Sequence, residues 1–254
     1  MTALAARTVP DLLRALLADD AGRPRLTWYG ADGERVELSA RTLENWVAKT
    51  ANLLVEEFDA GPGSRICVRL PAHWRTVTWL LAIWSAGAGA VVPADGPSAP
   101  PADPEPDAVV TADPAAAVAA GVRPDRIVAV ALPALATGFG PGLPAGVLDG
   151  ADEVRVRGDV FVPLVTPAAG DEALAVGDAD PVPHGRLLAD AARSDLPATA
   201  RVLTDAGAER AVEAWLAPLL ADGSVVLVAP GLAAEDHARL DRIAEQEQVG
   251  VRLL

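Results

Sequence analysis

The sequence has one cysteine, one lysine and one methionine, and aromatic residues fill only 4% of its 254 positions. The single cysteine, Cys67, excludes an internal disulfide and a cysteine-based zinc site. It stands in Arg65-Ile66-Cys67-Val68-Arg69-Leu70 and reads as a small buried strand residue. The single lysine, Lys49, excludes any chemistry that needs two, since every other basic side chain is an arginine. Positive charge is scarce as well: 21 basic residues face 35 acidic ones, for a net charge of −14. That balance lacks the basic footprint that nucleic acids and anionic membranes require, so neither is expected as a partner. Long apolar runs are missing too. Near the start Asp11, Arg14, Asp19 and Asp20 interrupt the one candidate well short of a spanning or signal-peptide length, and a cytoplasmic location is expected.

What the sequence does have is a 51% hydrophobic composition arranged in helix and strand periods, enough for one large domain or two small ones. Val9, Leu12, Leu13, Leu16 and Leu17 share a helical face behind Thr8, a predicted N-cap with Asp11 three residues on. Residues 26–38 read as a hairpin around Asp32-Gly33. Ser39 then opens a helix with Leu43, Trp46, Val47, Leu53 and Leu54 on its apolar stripe, and Lys49 falls outside that stripe, in the place of a solvated residue. Strands are expected at 64–70, 90–92, 107–111, 126–131, 200–203, 225–228 and 249–253. Helices are expected at 72–86, 114–120, 184–194, 209–220 and 234–246. Trp74, Trp79 and Trp84 are five apart, which spreads them around their helix as core packing rather than as one aromatic box. Six prolines in residues 93–106 make that stretch an extended connection. The alternation predicts an α/β protein with layered mixed or parallel sheets flanked by helices. Three segments are expected: a first α/β subdomain over 1–130, a loop-rich connection over 131–183 and a second α/β segment over 184–254.

Motifs for common chemistries are missing. No serine sits in a G-x-S-x-G elbow, and His73, His184 and His237 lack ligand-spaced partners, so no metal site and no catalytic residue is expected. The glycines at 87 and 89 precede a strand instead of following one, the reverse of a dinucleotide-binding turn. Asp178, Asp180 and His184 flank prolines in what reads as a solvated loop.

An ordered series of segments nevertheless resembles the N-terminal part of adenylate-forming enzymes, the superfamily of acyl-CoA synthetases, peptide-synthetase adenylation domains and luciferases. It runs from Leu26-Thr27 through Ala51-Asn52-Leu53-Leu54, Gly61-x-Gly63-Ser64-Arg65-Ile66 and Leu70-Pro71 to Ala82-Ile83-Trp84-Ser85-Ala86-Gly87-Ala88 and Val92-Pro93. A later stretch, Pro218 to Val228, is similar to a family strand and the helix before it. The resemblance implies that fold, and it is weakest over 131–183.

The family's phosphate loop is a Ser/Thr/Gly-rich segment ending in Pro-Lys-Gly, whose amides and lysine hold the ATP phosphates. The resemblance sets Val165 to Leu174 in its place, with Thr166, Gly170 and His184, the last at the position that starts the next helix, as vestigial nucleotide-binding candidates. The lysine is absent. Asp171 and Glu172 would each oppose a phosphate charge near 4 Å by about 4 kcal/mol at an effective dielectric of 20. The chain stops at Leu254, before the family's adenylate and ribose motifs and its late catalytic lysine. The expectation is therefore a non-catalytic pseudoenzyme acting as an interaction or regulatory module, with no cofactor, ATP and AMP included. The alternatives are a half-enzyme completed by a partner and a binder of a nucleotide or acyl carboxylate. A protein partner or a homodimer is expected through residues 224–254, where the last strand would leave a sheet edge open.

Overall fold

In the computed structural model, which describes residues 2–94 and 105–254, two signals read from the sequence set the first elements. Thr8 caps helix α1 (Val9–Asp20) by accepting the Asp11 amide at 3.2 Å, and Pro10 occupies the first turn, where no donor is needed. Strands β1 (Pro24–Tyr29) and β2 (Arg35–Ser39) form the antiparallel hairpin, with Gly33 at φ +96° in its turn. The chain continues through α2 (Ala40–Phe58), β3 (Arg65–Arg69), α3 (Trp74–Ala86), β4 (Gly89–Val92), β5 (Ala108–Thr111), α4 (Pro114–Ala119) and β6 (Ile127–Ala129). Then come β7 (Leu148–Asp149), α5 (Gly150–Val156), β8 (Glu172–Val176), β9 (Val182–Pro183) and α6 (His184–Ala191). The last elements are β10 (Arg201–Thr204), α7 (Ala217–Leu220), β11 (Ser224–Val228), α8 (Leu232–Glu235), α9 (His237–Gln246) and β12 (Val251–Leu253). The class is α/β, with parallel and antiparallel strands in each of two sheets. Most of the proline-rich stretch lies outside the described residues. No helix among those described is long and apolar enough to cross a membrane.

Contacts divide the chain into two units that interleave along the sequence. The first comprises Met1–Glu44, Ala72–Val77 and Gly185–Leu254. It holds a five-stranded sheet in the order β12-β10-β11-β1-β2, parallel except for the β1–β2 hairpin. Leu203, Val226, Val228, Leu240 and Ile243 pack together on one side of that sheet. Arg25 is fully buried in this unit because its Nη1 donates to the carbonyls of Asp222 and Gly223, at 2.8 and 3.1 Å, and ion pairs join it to Asp19 and Asp222. Glu247 is another buried charge of this unit. It accepts from the Tyr29 hydroxyl at 2.5 Å and from Arg35 at 2.8 Å, and Arg201 closes on its second oxygen.

His73 caps α3 inside the same unit. Its Nδ1 accepts the Arg75 amide at 3.1 Å while its ring stands edge-on to Trp28 with centroids 4.6 Å apart. Burial, and then the charge of Arg75, push the imidazole down to about 3, so it is neutral at physiological pH.

The second unit comprises Asn45–Pro71 and Thr78–His184. Its seven-stranded sheet runs β7-β6-β5-β3-β4-β8-β9, all parallel except β9. Cys67, Val109, Ile127 and Ala129 form a core on one face, with Phe139 and Leu143 packed against it. Cys67 is fully buried, as the sequence indicates, and burial raises its thiol pKa; an Arg69 hydrogen bond partly opposes that shift. Trp74, Trp79 and Trp84 are all buried, and Trp84 Nε1 donates to the Ala173 carbonyl at 2.7 Å.

Two expectations need correction. The helix read over 209–220 begins with a single 3₁₀ turn, passes through a π-helical stretch at Val212–Leu216 and becomes α7 only at Ala217. Pro218 supplies the reason, because a proline lacks the donor for residue 214 and its ring crowds that carbonyl, which a wider turn relieves. The helix read over 234–246 is two helices, broken where Asp236 turns out of helical geometry and its side chain caps the Arg239 amide at 2.9 Å. The connection over 131–183 also contains regular structure. Asp149 caps α5 through the Ala151 and Asp152 amides, and 172–176 is a strand in the sheet.

Candidate functional site

The position of β8 relocates every residue carried over from the phosphate loop. A phosphate cradle needs a strand followed by a loop that opens a helix, so that the loop amides converge on the anion. Thr166 and Gly170 instead lie before β8, both exposed, and Glu172 to Leu174 are part of that strand. Residues 165–174 therefore run up to and into β8 instead of following it. Strand register fixes which edge of the sheet they occupy. Pro183 pairs with Glu172 at the start of β8, and the His184 amide donates to the Asp171 carbonyl at 2.9 Å. His184 and Gly170 are thus close together, at the amino-terminal edge of the parallel strands. Pro167, next to Thr166, lies against Gly87 just before β4 on that same edge. Ligands in open parallel sheets bind at the opposite, carboxyl edge.

The charges on the amino edge hold the sheet together. Arg65, at the start of β3, donates its Nε to Glu172 at 3.0 Å, and its amide donates to Asp107 at 2.8 Å just ahead of β5. Asp171 accepts the Ala168 amide at 2.8 Å. His184 is half-buried with its Nε2 fully buried and unpartnered. Burial lowers its pKa, against hydrogen bonds to the carbonyls of Ala88 and Gly87 and the charge of Asp171, so the ring is uncharged at neutral pH.

The turn that follows β8 is residues 177–181, between β8 and β9 and ahead of α6. Gly177 has φ +51°, and its amide donates to the Val92 carbonyl at the end of β4, at 2.9 Å. A side chain there would meet Ala94 at 2.7 Å. The turn thus keeps the strand–loop–helix order, but its sequence is Gly-Asp-Ala-Asp-Pro, with two acids and no cation.

Lys49 does not supply that cation. The sequence places it as a solvated residue; in the structure it is half-buried and donates to the carbonyl of Arg157 at 2.5 Å and to that of Arg155 at 3.4 Å. These are terminal carbonyls of α5, which an ammonium group satisfies and whose dipole it offsets. Asn52, one turn along α2, holds the carbonyls of Gly158 and Val160 at 2.9 and 3.0 Å. The periodicity of α2 carries no sign of this role, because the partner carbonyls lie more than a hundred residues away.

The carboxyl edge of the second sheet has a different charge pattern. Arg69 ends β3 and is 3% exposed, and it pairs in register with Thr111 at the end of β5. Its Nε and Nη2 are buried without a hydrogen-bond partner. A cavity of about 330 Å³ opens beyond β5 and β6, walled by Ala112, Val130, Leu132, Ala136 and Phe139. In the first unit a cavity of about 500 Å³ lies between Leu4, Ala15, Leu220 and the acids Asp19 and Asp222, whose charge the paired Arg23 and Arg25 offset. No group of three or more His, Cys, Asp or Glu among the described residues could hold a metal ion.

A TIGR03089 family protein of Mycobacterium tuberculosis is 40% identical to this chain over 252 residues, 94% of each. The chain belongs to that family. No family model matches the sequence. Among solved structures, an acyl-CoA synthetase of Brucella canis superposes with a TM-score of 0.73 at 21% identity, covering 91% of this chain and 44% of its own. An anthranilate CoA ligase in complex with anthranoyl-AMP gives a TM-score of 0.71 at 18% identity, over 96% of this chain and 50% of its own. A fatty acyl-adenylate ligase from L. pneumophila, in complex with acyl adenylate and pyrophosphate, gives 0.67 at 14% identity. The chain has the fold of the N-terminal part of adenylate-forming enzymes and spans half or less of the length of these relatives.

Proposed function

We propose that this chain does not form adenylates and that it uses the adenylate-forming scaffold as an interaction or regulatory module. The observation that carries the reading is the fate of positive charge around the turn after β8. That turn offers Asp178 and Asp180 where a triphosphate needs cations, and the one lysine is committed to the end of α5. Two carboxylates beside bound phosphate would oppose it, with no cation in the turn to offset them. The test is trapping of an activated acyl group: the protein is incubated with ATP, Mg²⁺, hydroxylamine and a panel of aliphatic and aromatic acids. The reading expects no hydroxamate above a control without protein, and hydroxamate from any acid in the panel would overturn it.

The same reading includes a contact through the C-terminal strand. Strand β12 pairs with β10 on one side and with no described strand on the other. Val251 and Leu253 are half-buried along it, and Leu254 just beyond it is exposed. An open edge of this kind accepts a further strand, and a second copy of the chain is the partner we propose.

A further inference from the structure

The carboxyl ends of β3 and β5 form a topological switch point. From β3 the chain crosses through α3 to β4 on one side, and from β5 it crosses through α4 to β6 on the other. The two connections diverge and leave a crevice between adjacent strand ends, where ligands of open α/β sheets bind. Arg69 and Thr111 face each other there in register. Strand alternation puts Arg69 on the same face as Cys67, and the thiol of Cys67 is hydrogen-bonded by Arg69. Phe139 packs against the cluster that contains Cys67, and it also walls the 330 Å³ cavity. The guanidinium and the cavity therefore share one face of the sheet at its carboxyl edge.

Nε and Nη2 are adjacent donors on one planar edge of the guanidinium, spaced to meet two oxygens of a single oxyanion. In Arg69 these two atoms are the buried, unpartnered ones. A guanidinium stays protonated under all ordinary conditions, and burying its Nε–Nη2 edge without an acceptor is costly even though the thiol of Cys67 is hydrogen-bonded elsewhere on the group. We propose that the Nε–Nη2 edge of Arg69 binds the oxyanion of a small ligand, a carboxylate or a phosphate, at the crevice between β3 and β5. This site is separate from the turn after β8 and does not depend on whether the protein forms adenylates.

The experiment compares thermal unfolding of the full chain in sodium chloride, sodium phosphate and sodium acetate at equal ionic strength, with wild type, Arg69→Met and Arg69→Lys in parallel. A ligand that binds only the folded chain raises its Tm along a saturable curve. The proposal expects such a curve for phosphate, acetate or both over chloride in the wild type. It expects none for Arg69→Met, and an apparent affinity at least about tenfold weaker for Arg69→Lys, which keeps the charge and loses the two-pronged edge. Saturation by phosphate alone assigns a phosphate-bearing ligand, and saturation by acetate a carboxylate. An unsaturable rise shared by all three proteins is general salting, and it would overturn the proposal, as would no response in the wild type. If Arg69→Met does not fold, calorimetric titration of wild type and Arg69→Lys with the same two anions decides, and equal affinities would overturn the proposal.

Discussion

Glu247 is buried and bound by Tyr29, Arg35 and Arg201, so it joins the end of α9 to β1, β2 and β10 through one carboxylate. Burial alone would raise its pKa, but hydrogen bonds from Tyr29, Arg201 and Arg35 outweigh burial and hold it below the usual value. A carboxyl group with a lowered folded-state pKa stabilises the fold above its unfolded value of 4.5, and that stabilisation is lost as pH falls through the folded value. Glu247→Gln is expected to destabilise the fold by about 1–2 kcal/mol at pH 7 by urea unfolding, because Arg201 loses its carboxylate while Arg35 keeps Glu37, and the difference from wild type should shrink at pH 3. His73 has the same dependence on pH through the opposite charge change. It is neutral when folded and gains a proton below 6.5 when unfolded, so stability falls as pH drops from 6.5 toward 3, by up to about 1.4 kcal/mol per pH unit. His73→Asn retains a side-chain acceptor for the Arg75 amide and removes the titration; its stability between pH 6.5 and 5 should be flatter than that of the wild type.

At the scale of elements, what the sequence revealed was local. Thr8 with Asp11, and Asp32 with Gly33, announce their helix and turn within four residues, and both formed as read. The π-helical stretch before Pro218 and the break at Asp236 also have local causes, but an apolar stripe continues through each, so periodicity reads them as single helices. Strand β8 was hidden for another reason. Glu-Ala-Leu-Ala-Val is short and follows a long irregular stretch, and its identity as a strand rests on pairing with β4, which lies 80 residues earlier. Thr166 and Gly170 lie ahead of that strand, and the turn at 177–181 follows it. The unpartnered edge of Arg69 was beyond reach for the same reason, since only the pairing of β3 with β5 and the burial of the strand end make that arginine unusual. The open side of β12 carries its own prediction. Light scattering at tens of micromolar should give a homodimer for the wild type and a monomer for Leu253→Asp, and a monomeric wild type would contradict the proposed contact.

For the whole molecule, the fold class was legible because helix and strand periods alternate along most of the chain, and because the segments from Leu26 to Pro93 follow a recognisable order. Fold alone does not carry activity, since chemistry resides in the side chains placed on the scaffold. Here a chain with a net charge of −14 and one lysine has an adenylate-forming architecture, with Asp178 and Asp180 in the turn after β8. The proposal that this chain forms no adenylate is tested most directly by exchange of labelled pyrophosphate into ATP, because exchange needs only reversible formation of the adenylate. With Mg²⁺ and a panel of acyl and aromatic acids, the account predicts exchange equal to that of a control without protein. Carboxylate-dependent exchange above the control would contradict it.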